Sequence, residues 1–235
     1  VEKLVYLLIG PSGGIGESFS ETLRHSVVDG LRTGGASRIQ VNLGDPSLGN
    51  PFGVEPDPSA DTIVAAVSFW VDSAETTRAF SVLPASGDTG AAWHGYLVAE
   101  SEPLPLAADD HPRGPDGRVP GFSQLVALRR PGHLSWGEWR RIWQTQHTPV
   151  AIHTQSSFRY VQNVILRPVT TGAPAYAAVV EECFPIEAAA DLHVFFDAVG
   201  DDAKLSRHMS AMSESCDRFM DGVAPVSWTS AYLFP

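Results

Sequence analysis

Trp139, Trp143 and His147 recur every four residues, with Trp136 ahead of them and Val150 behind. At about 100° per residue these positions share one stripe of a helix, while Glu138, Arg140, Arg141, Gln144 and Thr145 share the opposite, polar face. Imidazole titrates near neutrality and indoles exclude water, so His147 suits an acid or base acting on an apolar ligand. The structural alternative is a histidine near a helix C-terminus, bonded to carbonyls or to the incoming strand. His153 lies six residues further on, past Pro149, within reach of the same cavity mouth. Tyr160 offers a hydroxyl for proton donation, or is a strand aromatic with that hydroxyl satisfied. The candidate catalytic residues are therefore His147, Tyr160 and His153. The candidate substrate-binding residues are Trp143, Trp139, Gln162, Trp228 and His94, with packing between helix and sheet as the competing role for the tryptophans.

These residues need elements to hold them. Lys3 to Gly10 reads as a buried strand, Glu17 to Leu31 as a helix with Phe19, Leu23, Val27 and Leu31 at four-residue spacing, and Arg38 to Leu43 as a strand. Gly44 to Ala60, rich in proline and glycine, reads as a loop; Thr62 to Val71 is a strand, Ser73 to Leu83 a short helix and Ala92 to Glu100 a strand. The same order follows a Pro-, Gly- and Asp-rich stretch: strand Phe122 to Arg130, helix Ser135 to Ile152, strands Phe158 to Arg167 and Tyr176 to Phe184. Helical spacing then marks Leu192 to Val199 and Leu205 to Phe219, and Pro225 to Phe234 closes the chain as a strand. Two βαββαβ repeats are expected, residues 1–101 and 121–235, joined by a linker at 102–120. Each predicts a ferredoxin-like sheet with helices on one face, and the uncovered faces must bury each other. A helix overlay puts Val27 or a neighbour where the second repeat has His147.

The chain has 235 residues, 43% hydrophobic and 18% charged, enough for a well-buried core. Its net charge of -11, with Lys3 and Lys204 the only lysines, argues against binding nucleic acid or anionic membranes. Cys183 and Cys216 are too few for a disulfide scaffold or a cysteine zinc site. No apolar run approaches the ~20 residues of a membrane span, and no leader pattern is visible, so a cytoplasmic location is expected.

Gly10 to Gly16 imitates the glycine-rich turn of short-chain dehydrogenases, but no tyrosine here has a lysine four residues on. The same segment fits the Gly-x-Ser-x-Gly elbow of hydrolases around Ser12, with only one strand preceding it. A glycine-rich loop between strand and helix is the expected reading of both. No His-x-x-x-His or His-Glu-x-x-His pair occurs, so no metal site is expected.

Trp139-x-x-x-Trp143-x-x-x-His147-x-Pro149 followed by Phe158-Arg159-Tyr160 resembles the EthD-type proteins of the dimeric α/β-barrel superfamily. The motif covers about thirty residues, and the βαββαβ order covers nearly the whole chain. The resemblance implies ferredoxin-like units whose sheets pair, here as a tandem with both halves in one polypeptide. Its first half departs from the motif, leaving at most one histidine-bearing pocket.

The fold expected is α+β: two ferredoxin-like repeats forming an intrachain eight-stranded antiparallel barrel with helices outside. The function implied by the resemblance is a cofactor-independent enzyme acting on an aromatic or polyketide-like molecule in the barrel cavity. Dehydration, decarboxylation, cyclisation, isomerisation and oxygenation all belong to this superfamily, as does haem binding, which stays open through His147. The competing class is a non-catalytic binding or accessory protein with the same pocket. A pseudo-dimeric monomer is expected, its outer helices available for a homodimer.

Overall fold

The apolar run Leu4 to Ile9 forms strand β1 (Glu2–Pro11), buried along both faces. Such a run needs cover on two sides. Val5, Leu7 and Ile9 face a barrel interior, while Leu4, Tyr6 and Leu8 pack beneath an outer helix. The computed structural model describes every residue except 12–14, 46, 49–51, 53–60, 77–78, 86–89 and 223–224. Ser12, and most of the loop expected at Gly44 to Ala60, lie outside the described residues.

After β1 come α1 (Glu17–Thr22), a π-helical segment Leu23–Val27, and α2 (Val28–Thr33), which together make one helix. Strands β2 (Ser37–Gly44), β3 (Asp61–Val71) and β4 (Ala92–Leu104) complete the first repeat. Strand β4 runs on into the stretch expected as linker. The second repeat holds β5 (Phe122–Leu128), α3 (Trp136–Arg141), a π-helical segment Ile142–His147 and α4 (Thr148–Thr154). It continues through β6 (Arg159–Pro168), β7 (Ala178–Phe184), α5 (Leu192–Phe195), α6 (Asp202–Cys216) and β8 (Val226–Phe234).

The strands close into one antiparallel barrel in the order β1-β3-β2-β8-β5-β7-β6-β4. Each half keeps the ferredoxin-like order, β4-β1-β3-β2 and β8-β5-β7-β6. The halves meet along two seams, β2 with β8 and β4 with β6. The predicted α+β tandem barrel is the fold observed. The helix expected over Ser73 to Leu83 is not: its described residues make turns and a 3₁₀ segment, Ala79–Val82. Ala74, Val82 and Leu83 pack onto the first core without the i, i+4 spacing that a helical stripe requires.

The barrel interior is filled. One part is apolar, with Val5, Leu7, Ile63, Tyr96, Leu125 and Val179 in contact. Another is a polar lattice across the two repeats. Gln40 and Asn42 of β2 donate to Glu181 of β7 at 2.6 and 2.8 Å, and Ser123 donates to the same oxygen at 2.7 Å. Arg159 of β6 pairs with Glu181 at 3.2 Å and with Glu102 at 2.9 Å. Lys3 of β1 donates to Glu100 and, at 2.9 Å, to Asn163. Burying charges is tolerable only when such partners replace water. The enclosed space that the sequence suggests for a ligand is thus occupied by the protein's own side chains.

Among the described residues no helix is long and apolar enough to cross a membrane.

A candidate active site between helix and sheet

The helix bearing His147 starts at a capping box: Ser135 Oγ accepts from the Glu138 amide at 3.3 Å, and Glu138 accepts from the Ser135 amide at 3.0 Å. Trp139 is fully buried and donates its indole N–H to the Phe219 carbonyl at 2.9 Å, tying this helix to the segment after α6. Trp136, expected on the inner stripe, is 41% exposed and stacks on Trp139. The helix then widens into its π-helical segment, which ends at His147. Pro149 has no N–H for the Thr145 carbonyl, and Thr148 Oγ1 instead donates to the Trp143 carbonyl at 3.0 Å. The helix therefore continues to Thr154 rather than ending at the proline. The wide turn also shifts the phase, so Thr148, Ala151 and Thr154 face inward and Val150 is only half-buried.

Beneath this helix lies a cavity of about 350 Å³ on the outer face of the barrel sheet. Trp143, His147, Met209, Met212, Cys216 and Phe219 form its helix side. Gln124, Val126, Leu128, Tyr160, Val180 and Glu182 form its sheet side. Phe52, Phe195 and Phe196 close one flank, with ring centroids of Phe52 and Phe195 5.2 Å apart. The stripe Met209, Met212, Cys216, Phe219 thus faces the sheet; its methionines stay partly exposed because they border space. Unbranched thioethers adapt to ligands of varied shape.

His147 is 5% exposed, with its ring 4.5 Å from that of Phe219 and Nδ1 3.0 Å from the buried Ser215 Oγ. Burial, with Arg218 nearby, pulls its pKa down to about 4, so the ring is neutral at pH 7. The Tyr160 hydroxyl is raised above the ordinary tyrosine value by burial and by Glu182, against the opposing pull of Trp143, Gln162 and Thr148. Burial also raises the Cys216 thiol to about 11, with Glu182 and Asp217 adding to the effect. Glu182 is 6% exposed and is pushed up to about 8 by burial. Among the described residues its Oε1 has no hydrogen-bond partner, and neither has Oε1 of Gln155, which also borders the cavity.

Of the residues singled out in the sequence, the structure brings His147, Tyr160 and Trp143 to this cavity. It does not bring the others there. Trp139 packs behind Trp143, with centroids 5.0 Å apart. Gln162 faces the helix layer instead of the barrel interior and donates to Thr148 Oγ1 at 2.6 Å. Tyr160 also points to the helices, because the lumen-facing positions of β6 are Arg159, Val161, Asn163 and Ile165. His153 sits beyond the cavity beside His208, 5.8 Å between rings. Trp228 packs into the phenylalanine cluster of Phe122 and Phe195. His94 pairs in register with Leu7, in the other repeat's part of the barrel. Ser215, Cys216, Gln155 and Glu182 join the site without a motif that singles them out in the sequence. The signal for Glu182 was a carboxyl pair inside the otherwise apolar strand around Val179 and Phe184.

Residues 131–222 match the family model of the EthD domain. The match lies within the second repeat and covers most of it. The match spans His147, Tyr160, Glu182 and Cys216, so both walls of the cavity draw on it. A solved structure described as an anthrone oxidase-like protein superposes on 100% of this chain and 92% of its own, with TM-score 0.60 at 11% identity. A putative monooxygenase from Lactobacillus acidophilus NCFM covers 100% of this chain and 99% of its own, with TM-score 0.48 at 8% identity. The first likeness shows a shared fold, and the second is too loose to add to it. No curated protein matches the sequence.

Among the described residues the first repeat has no counterpart to this site. Its π-helical segment ends at Val27, where the EthD domain has His147, and Leu23, Val27, Leu31 and Phe69 pack there as core.

Proposed function

We propose that the chain is a cofactor-independent enzyme acting on an aromatic or polyketide-like molecule, with His147 of the EthD domain as the proton-transferring group. The observation that carries this reading is a neutral, fixed imidazole bordering an otherwise largely apolar cavity. In the tautomer whose Nδ1–H donates to Ser215 Oγ, Nε2 keeps its lone pair for a ligand proton. A histidine whose charged form is disfavoured by burial needs an anion beside it once protonated. A ligand that has just lost a proton to it supplies that anion, and the ion pair is strengthened by the low dielectric. Removing a proton from a carbon acid opens isomerisation, cyclisation, dehydration and reaction with dioxygen alike. The electron pair stays on the ligand as an enolate or phenolate.

The cavity's chemistry does not fit haem. Its described ionisable lining is His147, Tyr160, Glu182 and Cys216, with no arginine or lysine to meet two propionates. Among the described residues no group of three or more metal-ligating side chains occurs.

Anthrone, a tricyclic ketone with an acidic methylene, is the first substrate to test, its oxidation by dioxygen to anthraquinone and water followed by absorbance. The expected result is turnover by wild type and at least a hundredfold loss in His147→Gln, with binding retained by thermal shift. Binding with equal conversion in both proteins would remove His147 from the chemistry, and binding without conversion across a panel of related carbon acids would leave a binding protein.

A further inference from the structure

We infer that the carboxyl of Glu182 is the recognition group of this cavity, donating a hydrogen bond to an uncharged oxygen of the ligand, so that the ligand class is neutral aromatic ketones and quinones. The inference deepens the proposed function and rests on the same cavity, but not on His147 acting in catalysis.

Three observations carry it. Glu182 borders the cavity from the sheet side, more than nine-tenths buried. Its Oε1 lacks a partner among the described residues, although a buried polar atom left unpaired is costly and native structures seldom tolerate it. The partner it lacks is a ligand's to supply.

The groups facing Glu182 decide its protonation. Across the sheet, Gln124 of β5 and Tyr160 of β6 are its register partners. From the helices, Cys216 lies near it and His147 shares the cavity. Tyr160 and Cys216 are neutral at pH 7 because burial raises both, and His147 is neutral because burial lowers it. Arg218 acts on His147, and among the described residues no cation pairs with Glu182. A carboxyl so placed keeps its proton and is a donor. Glu181, one residue away, takes the opposite course because it faces Arg159 and three neutral donors.

A matched series on one skeleton tests the assignment by calorimetry at pH 6: fluorene, 9-fluorenone, the ammonium of 9-aminofluorene and fluorene-9-carboxylate. Wild type is expected to bind fluorenone about tenfold more tightly than fluorene, with both charged members weaker. Glu182→Gln, which keeps a neutral donor, retains the preference, and Glu182→Leu abolishes it. The preference fades above about pH 8 in wild type and not in Glu182→Gln. Equal binding of fluorene and fluorenone overturns the inference, as does an unchanged preference in Glu182→Leu. Tightest binding of the ammonium, lost in Glu182→Gln, overturns it in favour of a carboxylate awaiting a cation. If no member binds, the inference falls, while the proposed function is decided by the binding and conversion of anthrone. If fluorenone binds as expected but no carbon acid is converted, only the proposed function falls.

Discussion

Glu181 and Glu182 are adjacent on β7 and point through opposite faces of the same sheet, into two different solvents. Glu181 enters the barrel interior, where burial would raise its pKa but Arg159, Gln40, Asn42 and Ser123 more than compensate, so it is held below the ordinary glutamate value. Glu182 enters the cavity, where burial raises its pKa and no such group among the described residues compensates, and it keeps its proton to about pH 8. The alternation of a strand thus sets a structural anion beside a neutral donor.

Stability should report Glu182 directly. Its folded pKa is raised, so the folded state holds a proton that the unfolded chain releases; the associated stability is full below the unfolded value near pH 4.5 and is lost as pH rises to about 8. Urea midpoints of wild type should fall between pH 5 and pH 8.5 by an amount corresponding to roughly a few kcal/mol. In Glu182→Gln that part of the slope should vanish, and an unchanged slope would contradict the assignment.

His147 has the opposite sign. Its folded pKa is depressed to about 4, so its contribution is complete above pH 6.5 and is lost as pH falls toward 4, where the unfolded chain takes up the proton more readily. His147→Gln should remove on the order of 3 kcal/mol of acid destabilisation across that window. Turnover governed by this group should be level from pH 5.5 to 7.5, a plateau that a pH–rate profile reads.

Removing Glu181 should be severe without touching the cavity. Glu181→Ala leaves the buried Arg159 guanidinium with Glu102 as its one carboxylate among the described residues, beside the Gln40 side-chain oxygen, and removes the acceptor shared by Gln40, Asn42 and Ser123. Denaturant melts should show a loss of about 3–5 kcal/mol. Affinity for fluorenone in the surviving folded protein should be unchanged.

Cys216 borders the cavity but should behave as an inert thiol. With its pKa raised to about 11, little thiolate exists at neutral pH. Iodoacetamide at pH 7.5 should label it many times more slowly in the native protein than in urea, as read by intact mass.

Much of the architecture is legible in the residues. The apolar run of β1, the four-residue spacing before His147 and the recurrence of the βαββαβ order lead to the tandem barrel. The counterpart of His147 at Val27 is legible too. What fails is local geometry. A uniform 100° projection has no means of showing a π-helical turn, so Val150 was assigned inward in place of Thr148 and Ala151. Period-two alternation separates the two faces of β6 but does not say which is the lumen, so it leaves open that Tyr160 and Gln162 face the helices. The role of Glu182 is not legible in the sequence, because whether a strand carboxyl meets a cation or an apolar cavity depends on neighbours brought from other elements.

The two seams that close this barrel lie within one polypeptide, which frees it from a rule that binds any homodimer. Where two identical chains build such a barrel, every substitution is made twice, and a pocket cannot be filled on one side and kept on the other. Here Val27 and Phe69 pack solid one side of the molecule while His147 and Glu182 keep the other hollow. Broken symmetry lets one half specialise as scaffold, so that substitutions there alter robustness while substitutions in the other alter chemistry.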